Sequence, residues 1–447
     1  MQDRLKIAVV GSGYVGTVVS ACFSKIGHEV VGIEINPEKL TQLQAGIPPF
    51  WEGGLDELLS EQVTSGNLRF TDNMGEALSG VDVIFLCVGT PSGSDGHPDM
   101  SYVVEAARAI GQEIKGHNVI VTKSTVPIGS GMWLDATIDD ALADAASDAT
   151  FSVVSNPEFL REGTAIHDFL HPDRIVLGSQ DQAAIDLVHK AYQPILDQSF
   201  EGGLSDVHPA MVHTGLVTAE TVKYAANAFL ATKISFINEI AQIAERVGAD
   251  VSDVAKAIGL DSRIGGSFLN AGIGWGGSCF GKDLDALAAI ARDYGLHPRI
   301  LDAVRAVNAA QRRSVVEKLQ SRLKTLRGRR ITLLGLSFKP GTDDLRDAPA
   351  IDIAARLVQL GAKVTAYDPA VKAMDEVPEV LIKDDVYSAA DRADAIVLVT
   401  EWPEFREIDW SRVQSVMRGS FVLDGRNSLD SVALIAAGLD YASIGGG

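Results

Sequence analysis

The segment Gly272-Ile273-Gly274-Trp275-Gly276-Gly277-Ser278-Cys279-Phe280-Gly281 holds five glycines in ten residues, with a cysteine near its end. Backbone with so few Cβ atoms can wrap a ligand closely. The run DLDALAAIARD that follows has helical spacing, so Cys279 stands where a glycine loop enters a helix. At that position the helix dipole stabilises a thiolate and lowers the thiol pKa, which makes the sulfur reactive. Asp283, four residues on, shares the helical face and lies within reach of chemistry at the sulfur. Free cysteines are usually small buried hydrophobes. That description suits Cys22, in a helix packed on a sheet, and Cys87, inside VIFLCV. It does not suit Cys279.

Other chemistry-bearing residues sit at the ends of apolar runs. Lys223 and Asn227, in KYAAN, are four apart on one helix face and together could stabilise an oxyanion. Taken alone they read as a solvated face. Glu158 follows the run FSVV within Ser155-Asn156-Pro157-Glu158-Phe159, and Lys123-Ser124-Thr125 follows NVIV in the same way. Each alone is as consistent with turn chemistry as with function. Together they converge on one edge of one sheet.

The elements that position these groups alternate. LKIAVV, EVVGI, VDVIFLCV, NVIVTK and FSVV are short β-rich runs separated by helical patterns, the signature of a parallel sheet with crossover helices. A long helical period without Gly or Pro runs from Thr218 to Arg246. Two more helical stretches follow the glycine loop, and Pro298 between them is expected to kink or break the chain. From Arg330 the alternation returns as RITLLGL, a helix near 351–360, AKVTAYD, AIVLVT and SFVLDG. The two regions read alike: LKIAVVGSG beside RITLLGLS, and GHEVVGIEINPE beside GAKVTAYDPA. The expected fold is α/β, with two Rossmann-like doubly wound parallel-sheet domains joined by a central helical region. The expected domains are 1–205, 206–310 and 311–447, with ligands bound beyond the carboxyl ends of the strands, in a cleft between the two sheets.

Gly11-Ser12-Gly13-Tyr14-Val15-Gly16 is a GxGxxG between a strand and a helix, and Glu34 closes the next strand about twenty residues on. The glycines admit a pyrophosphate to the helix N-terminus, and the acid would accept from the ribose diol. A carboxylate there repels a 2′-phosphate, so the spacing favours NAD over NADP.

Composition narrows the classes. Hydrophobic residues make up 46% and charged residues 22%, as in a globular enzyme, and the formal charge of −20 argues against nucleic acid or an anionic membrane as partner. No run approaches the roughly 20 apolar residues of a membrane span, and the N-terminal LKIAVV is too short for a signal peptide, so a cytoplasmic location is expected. Three widely spaced cysteines, without a CxxC or a His/Cys cluster, point to neither a disulfide framework nor a metal site.

With these residues in view, the whole chain resembles the UDP-glucose 6-dehydrogenases, within the UDP-glucose/GDP-mannose dehydrogenase family. The resemblance rests on GSGYVG, FLCVGTP, KSTVP, SNPEFLREG, KYAANAFLATKISFINEIA, RIGGSFL, GGSCFGKD, GLSFKPGTDDLRDAP and LDGRN, in order. It implies an NAD domain, a central helical dimerisation region giving a homodimer, and a C-terminal domain that binds the nucleotide sugar. It implies Cys279 as nucleophile, with Asp283, Lys223, Asn227, Glu158 and Thr125 as catalytic partners. Cofactor contacts would come from Gly11, Gly13, Tyr14, Val15, Gly16, Glu34, Lys39, Thr90, Thr125 and Lys282. Substrate contacts would come from Phe159, Leu160, Arg161 and Glu162, from the loop Phe268–Gly276, and from Lys223, Asn227, Phe338, Lys339 and Arg426. Arg263 would also contact substrate, across the dimer.

Two departures from the family pattern stand out. Gly281 replaces the usual Pro in GGSCFGKD, and Trp51 and Gly53 alter a loop usually closer to YEPGL. GGSCFxKD with RIGxxFL looks like the UDP-glucose branch rather than the GDP-mannose or UDP-N-acetylhexosamine branches. A two-electron hydroxy-acid dehydrogenase would share only the first half of the chain. A non-catalytic nucleotide-sugar sensor would have little reason to keep Cys279, Asp283, Lys223 and Glu158 together.

Overall fold

The protein is described from a computed structural model, which describes residues 4–91, 93 and 96–446. The chain divides into two compact units, Met1–Ala226 and Asn227–Gly447. The first is built on eight strands: β1 Lys6–Val10, β2 Glu29–Ile33, β3 Leu68–Thr71, β4 Val83–Leu86, β5 His117–Thr122, β6 Thr150–Ser155, β7 Arg174–Gly178 and β8 Ala210–Thr214. They lie in the order β3-β2-β1-β4-β5-β6-β7-β8. The second carries β9 Arg330–Leu334, β10 Lys363–Tyr367, β11 Leu381–Ile382, β12 Ala395–Leu398, β13 Phe421–Asp424 and β14 Asp440–Ser443, in the order β11-β10-β9-β12-β13-β14. Both sheets reverse strand order beside their first strand, as doubly wound folds do. The likeness of the two alternating regions is therefore a likeness of topology.

Strands covered on both faces need continuous apolar runs, and β4 (VIFL) and β12 (AIVL) are buried at every position. The sheet edges were less legible. β3 alternates buried and exposed residues, β8 is largely exposed, and β11 has two residues. β7 joins β6 antiparallel through Ser155 opposite Gly178, so the last two strands of the first sheet run against the rest.

The helix Leu216–Val247 runs uninterrupted because no Gly or Pro falls inside it. Its buried positions recur every three or four residues at Tyr224, Ala228, Ala231, Ser235 and Asn238. The same stripe carries the polar Glu220, Lys223 and Asn227, all buried. Pro298 breaks the following helical run: one helix spans Phe280–Asp293 and the next begins at Arg299. Among the described residues no helix is long and apolar enough to cross a membrane.

Candidate active site

In the first unit the expected residues follow successive strands of one sheet edge: Gly11 after β1, Glu34 after β2, Thr90 after β4, Thr125 after β5 and Glu158 after β6. Gly16 admits no side chain, since a Cβ there would lie 1.8 Å from the Gly11 carbonyl oxygen. Gly13 opens the helix Tyr14–Lys25, with free space where its Cβ would be. Glu34 accepts from the Asn36 N–H at 2.8 Å. Lys39 is exposed in the first turn of the helix Pro37–Gln44, and Val15 is half-buried in the turn after Gly13. Tyr14 turns its hydroxyl to Glu52 at 2.5 Å rather than leaving it open. Burial raises the phenol pKa, and the Glu52 bond adds to it.

Gly16→Ala is expected to cost about 1–3 kcal/mol of stability by overpacking the turn. It should also weaken dinucleotide binding by roughly tenfold or more, the equivalent of 1.4 kcal/mol. Thermal melting and a cofactor titration check both, and wild-type values would contradict the close approach.

Glu158 and Lys223 form a buried ion pair at 2.7 Å, their side chains 8% and 6% exposed. Burial pushes the Glu158 carboxyl up, but the Lys223 charge and hydrogen bond, the Leu160 N–H and the Lys123 charge outweigh it and hold the pKa below the usual range. The ring of Phe159 lies 3.7 Å from the Arg174 guanidinium and 5.6 Å from the Lys223 ammonium. Arg161 is exposed and grips Asp168, while Leu160 and Glu162 are half-buried. The Thr125 carbonyl accepts from the Thr90 hydroxyl at 2.9 Å, tying the ends of β4 and β5 together.

In the second unit Cys279 is exposed immediately before the helix Phe280–Asp293, whereas Cys22 and Cys87 are buried. The Asp283 N–H closes the first turn on the Cys279 carbonyl at 2.9 Å. The Asp283 carboxylate, 1% exposed, accepts from Asn227 Nδ2 at 2.6 Å and lies 3.2 Å from Lys282 Nζ. Lys282 is thus placed on the aspartate. The glycine loop is held by side chains from elsewhere in the unit. Asn308 pairs with both backbone groups of Trp275, Gln311 donates to the Gly272 carbonyl, and Asn238 accepts from the Gly272 N–H. Arg312 donates to the Trp275 carbonyl and to Asp347. Gly276 is pressed against Asp347, whose carbonyl would be 2.3 Å from a Cβ.

Arg426 donates to the Gly274 carbonyl at 3.0 Å and lies 3.2 Å from Glu401. Phe338 packs on Gly277 with Lys339 over its ring, and Phe268 holds a left-handed backbone at φ 64°. Arg263 is exposed and pairs with Asp261 in its own turn. Gly281 sits in the first turn of the Cys279 helix, where a Cβ would come 3.2 Å from Asp347. Trp51 is exposed and Gly53 faces open space save for one distant carbonyl, so neither departure is forced by packing.

The residue between them, Glu52, escaped the sequence reading. It is 1% exposed and accepts from Tyr14, Gly163 and Ala165. Asn308, Gln311 and Arg312 escaped it too. Their one signal was a polar row, NAAQR, in an otherwise amphipathic helix.

A glycine turn with a closing acid on one doubly wound sheet, followed by a second such sheet, defines a nucleotide-binding α/β dehydrogenase. Family models sharpen this. The NAD-binding, central and UDP-binding domains of the UDP-glucose/GDP-mannose dehydrogenase family match residues 5–196, 217–310 and 332–431. A UDP-glucose 6-dehydrogenase of Bacillus subtilis, TuaD, is 45% identical, covering 98% of this chain and 93% of its own. One from Rhizobium meliloti is also 45% identical, covering 99% of both. The solved structure of a UDP-glucose dehydrogenase from Pyrobaculum islandicum superposes with a TM-score of 0.89 at 38% identity, covering 100% of this chain and 99% of that one. The chain belongs to the UDP-glucose/GDP-mannose dehydrogenase family, is an oxidoreductase, and takes NAD as its cofactor.

Proposed function

We propose that the chain oxidises the terminal hydroxymethyl of UDP-glucose to the carboxylate of UDP-glucuronate, with Cys279 as covalent nucleophile. The observation that carries this reading is an exposed thiol at a helix start, one turn before a buried carboxylate bonded to Asn227. The glycine turn fits the cofactor: Gly13 leaves open space at a helix N-terminus, and the Glu34 carboxylate closes β2. When bound, NAD⁺ supplies the hydride acceptor for each of the two oxidations.

A base assembly of Asp283, Lys223 and an ordered water takes the hydroxyl proton as the alcohol becomes an aldehyde, with the Asp283 carboxylate as the accepting group. The Cys279 thiolate adds to the aldehyde carbon, and Lys223 and Asn227 steady the resulting oxyanion. Loss of the second hydride leaves a thioester, and water oriented by Glu158 and Thr125 hydrolyses it. Phe159–Glu162, the loop Phe268–Gly276, Phe338, Lys339 and Arg426 bind the nucleotide sugar in this reading, and Arg263 reaches it from a second subunit. Tyr14, Val15, Lys39, Thr90 and Lys282 join the glycines on the cofactor.

UDP-glucose is favoured by the names of the two relatives above, by the match to a UDP-binding domain and by GGSCFGKD with RIGGSFL. A homodimer is supported by the exposed apolar Phe229, Phe236 and Ile243, seven residues apart on the long helix. Three free cysteines fit the reducing cytoplasm. The test is NADH formed per nucleotide sugar consumed, with GDP-mannose and UDP-N-acetylglucosamine alongside. Two equivalents with UDP-glucose support the whole reading. Two with another sugar overturn the substrate alone, and one or none overturns the covalent route.

A further inference from the structure

Lys123 has no part in the chemistry above, yet it is among the most enclosed charged groups of the first unit, at 5% exposure. It follows the last residue of β5, as Asn156 follows the last residue of β6, and the two strands pair through Thr122 and Ser155. Its ammonium donates to Asn156 Oδ1 at 3.0 Å and to the Tyr192 hydroxyl at 3.2 Å. The Tyr192 hydroxyl donates to the same Asn156 oxygen at 2.6 Å, and Asn156 Nδ2 donates to the Val176 carbonyl at 2.9 Å. Phe169 and Tyr192 present their rings at 5.9 and 5.7 Å. Among the described residues no carboxylate is bonded to this lysine. An ammonium without a bonded counter-ion is costly to bury for packing alone. Its bonds converge on Asn156, two residues before Glu158, and its charge lies in the field of Glu158.

We propose that Lys123 is a positioning residue for the hydrolytic half of the reaction, fixing the Asn156-Pro157-Glu158 corner and keeping Glu158 an acceptor for the attacking water. This rests on the function proposed above. In that step the water oxygen bonds to the acyl carbon, the carbon–sulfur bond breaks, and the electron pair leaves with sulfur. One water proton returns to Cys279 and the other goes to solvent, leaving the carboxylate. Glu158 turns the water by accepting a hydrogen bond. It does this most strongly while ionised, when both oxygens accept, and with those oxygens aimed by the corner that Lys123 and Tyr192 hold.

The arrangement also predicts a pH limb. Burial pushes Lys123 down to about 8, with Cys87 and Glu158 opposing that shift and Lys223 adding to it. Of the titratable groups around it, burial holds Cys87 up to about 12 and Tyr192 well above its usual value, while Glu158 stays low. Loss of the Lys123 proton as pH rises through about 8 therefore removes the positive charge from the Asn156 corner.

The experiment uses the full chain, NAD⁺ and UDP-glucose with Lys123→Met and Lys123→Arg. It follows the NADH burst, the mass of the adduct on Cys279, and turnover against pH. Lys123→Met is expected to lower turnover about 100-fold, the scale of misplacing a reacting group by about 1 Å. It should keep a burst of two NADH per chain and accumulate the acyl adduct. Lys123→Arg, always charged, should lose the fall of turnover above about pH 8. Wild-type turnover or an unaltered pH limb in these variants overturns the proposal, as does loss of both half-reactions without adduct. Should neither variant fold, wild-type hydrolysis that is flat through pH 8 overturns it and a fall there supports it. A wild-type chain that does not form two NADH per UDP-glucose sinks the functional reading instead, which the wild-type control separates from a failure at Lys123.

Discussion

Cys279→Ser is expected to lower steady-state turnover of UDP-glucose by a factor on the order of 10⁴ or more, the scale set by loss of an essential nucleophile. The cysteine is exposed before the first turn of its helix, and no other described cysteine is exposed. A thiol there ionises with help from the helix dipole, whereas a serine hydroxyl stays protonated and adds slowly to an aldehyde. Any adduct that does form on serine would be oxidised to an ester, a poorer acyl donor than a thioester, so it should persist on the protein. Intact-mass measurement after incubation with NAD⁺ and UDP-glucose reads the adduct, and absorbance reads the NADH. Folding should be nearly unchanged, because the side chain fills no core. Wild-type turnover in this variant would falsify the covalent route.

The second large effect is expected at Lys223. Lys223→Met leaves the Glu158 carboxylate buried beside an apolar side chain, and removing one partner of a buried pair costs about 3–5 kcal/mol. The sign with pH follows from the direction of the shift. In the folded wild type the Glu158 pKa is held below its usual value. The pair therefore contributes stability above the unfolded carboxyl pKa of about 4.3, and that contribution fades as pH falls through the lower folded value. Without Lys223 the largest influence, burial, has less to oppose it and Glu158 tends to take up a proton. The gap in melting temperature between variant and wild type should be wide at neutral pH and narrow under acid. Turnover should fall by about 10²–10⁴-fold, because a member of the proposed proton-removal assembly and of the oxyanion site is lost. Adding Glu158→Gln should recover most of the stability and none of the activity. Recovery of activity in the double variant would show that Lys223 serves only to neutralise its neighbour.

Much of this protein could be read along the chain because the physics concerned is local. Gly11, Gly13 and Gly16 with Glu34 are spaced by one strand–helix–strand unit, and the steric need for glycine at position 16 is set by a carbonyl five residues away. Cys279 and Asp283 are one helical turn apart, so their shared face follows from the helix period. The double α/β topology was legible because strands buried on both faces must be apolar throughout. Edge strands carry no such signal. β8 and β11, half in solvent, left little pattern to read, and the antiparallel entry of β7 depends on a pairing across the sheet.

What the sequence determined by itself was therefore the class of the buried elements and the residues that act within a turn of one another. The tertiary structure decided which distant groups complete them. Glu52 reaches Gly163 across 111 positions, Asn308 reaches Trp275 across 33, and Lys123 meets Asn156 and Tyr192 from two other elements. A buried carboxylate, amide or ammonium must find hydrogen-bond partners wherever the packed chain supplies them. Local spacing carries no record of that choice, because the partners become neighbours only when strands and helices from remote parts of the chain close over them.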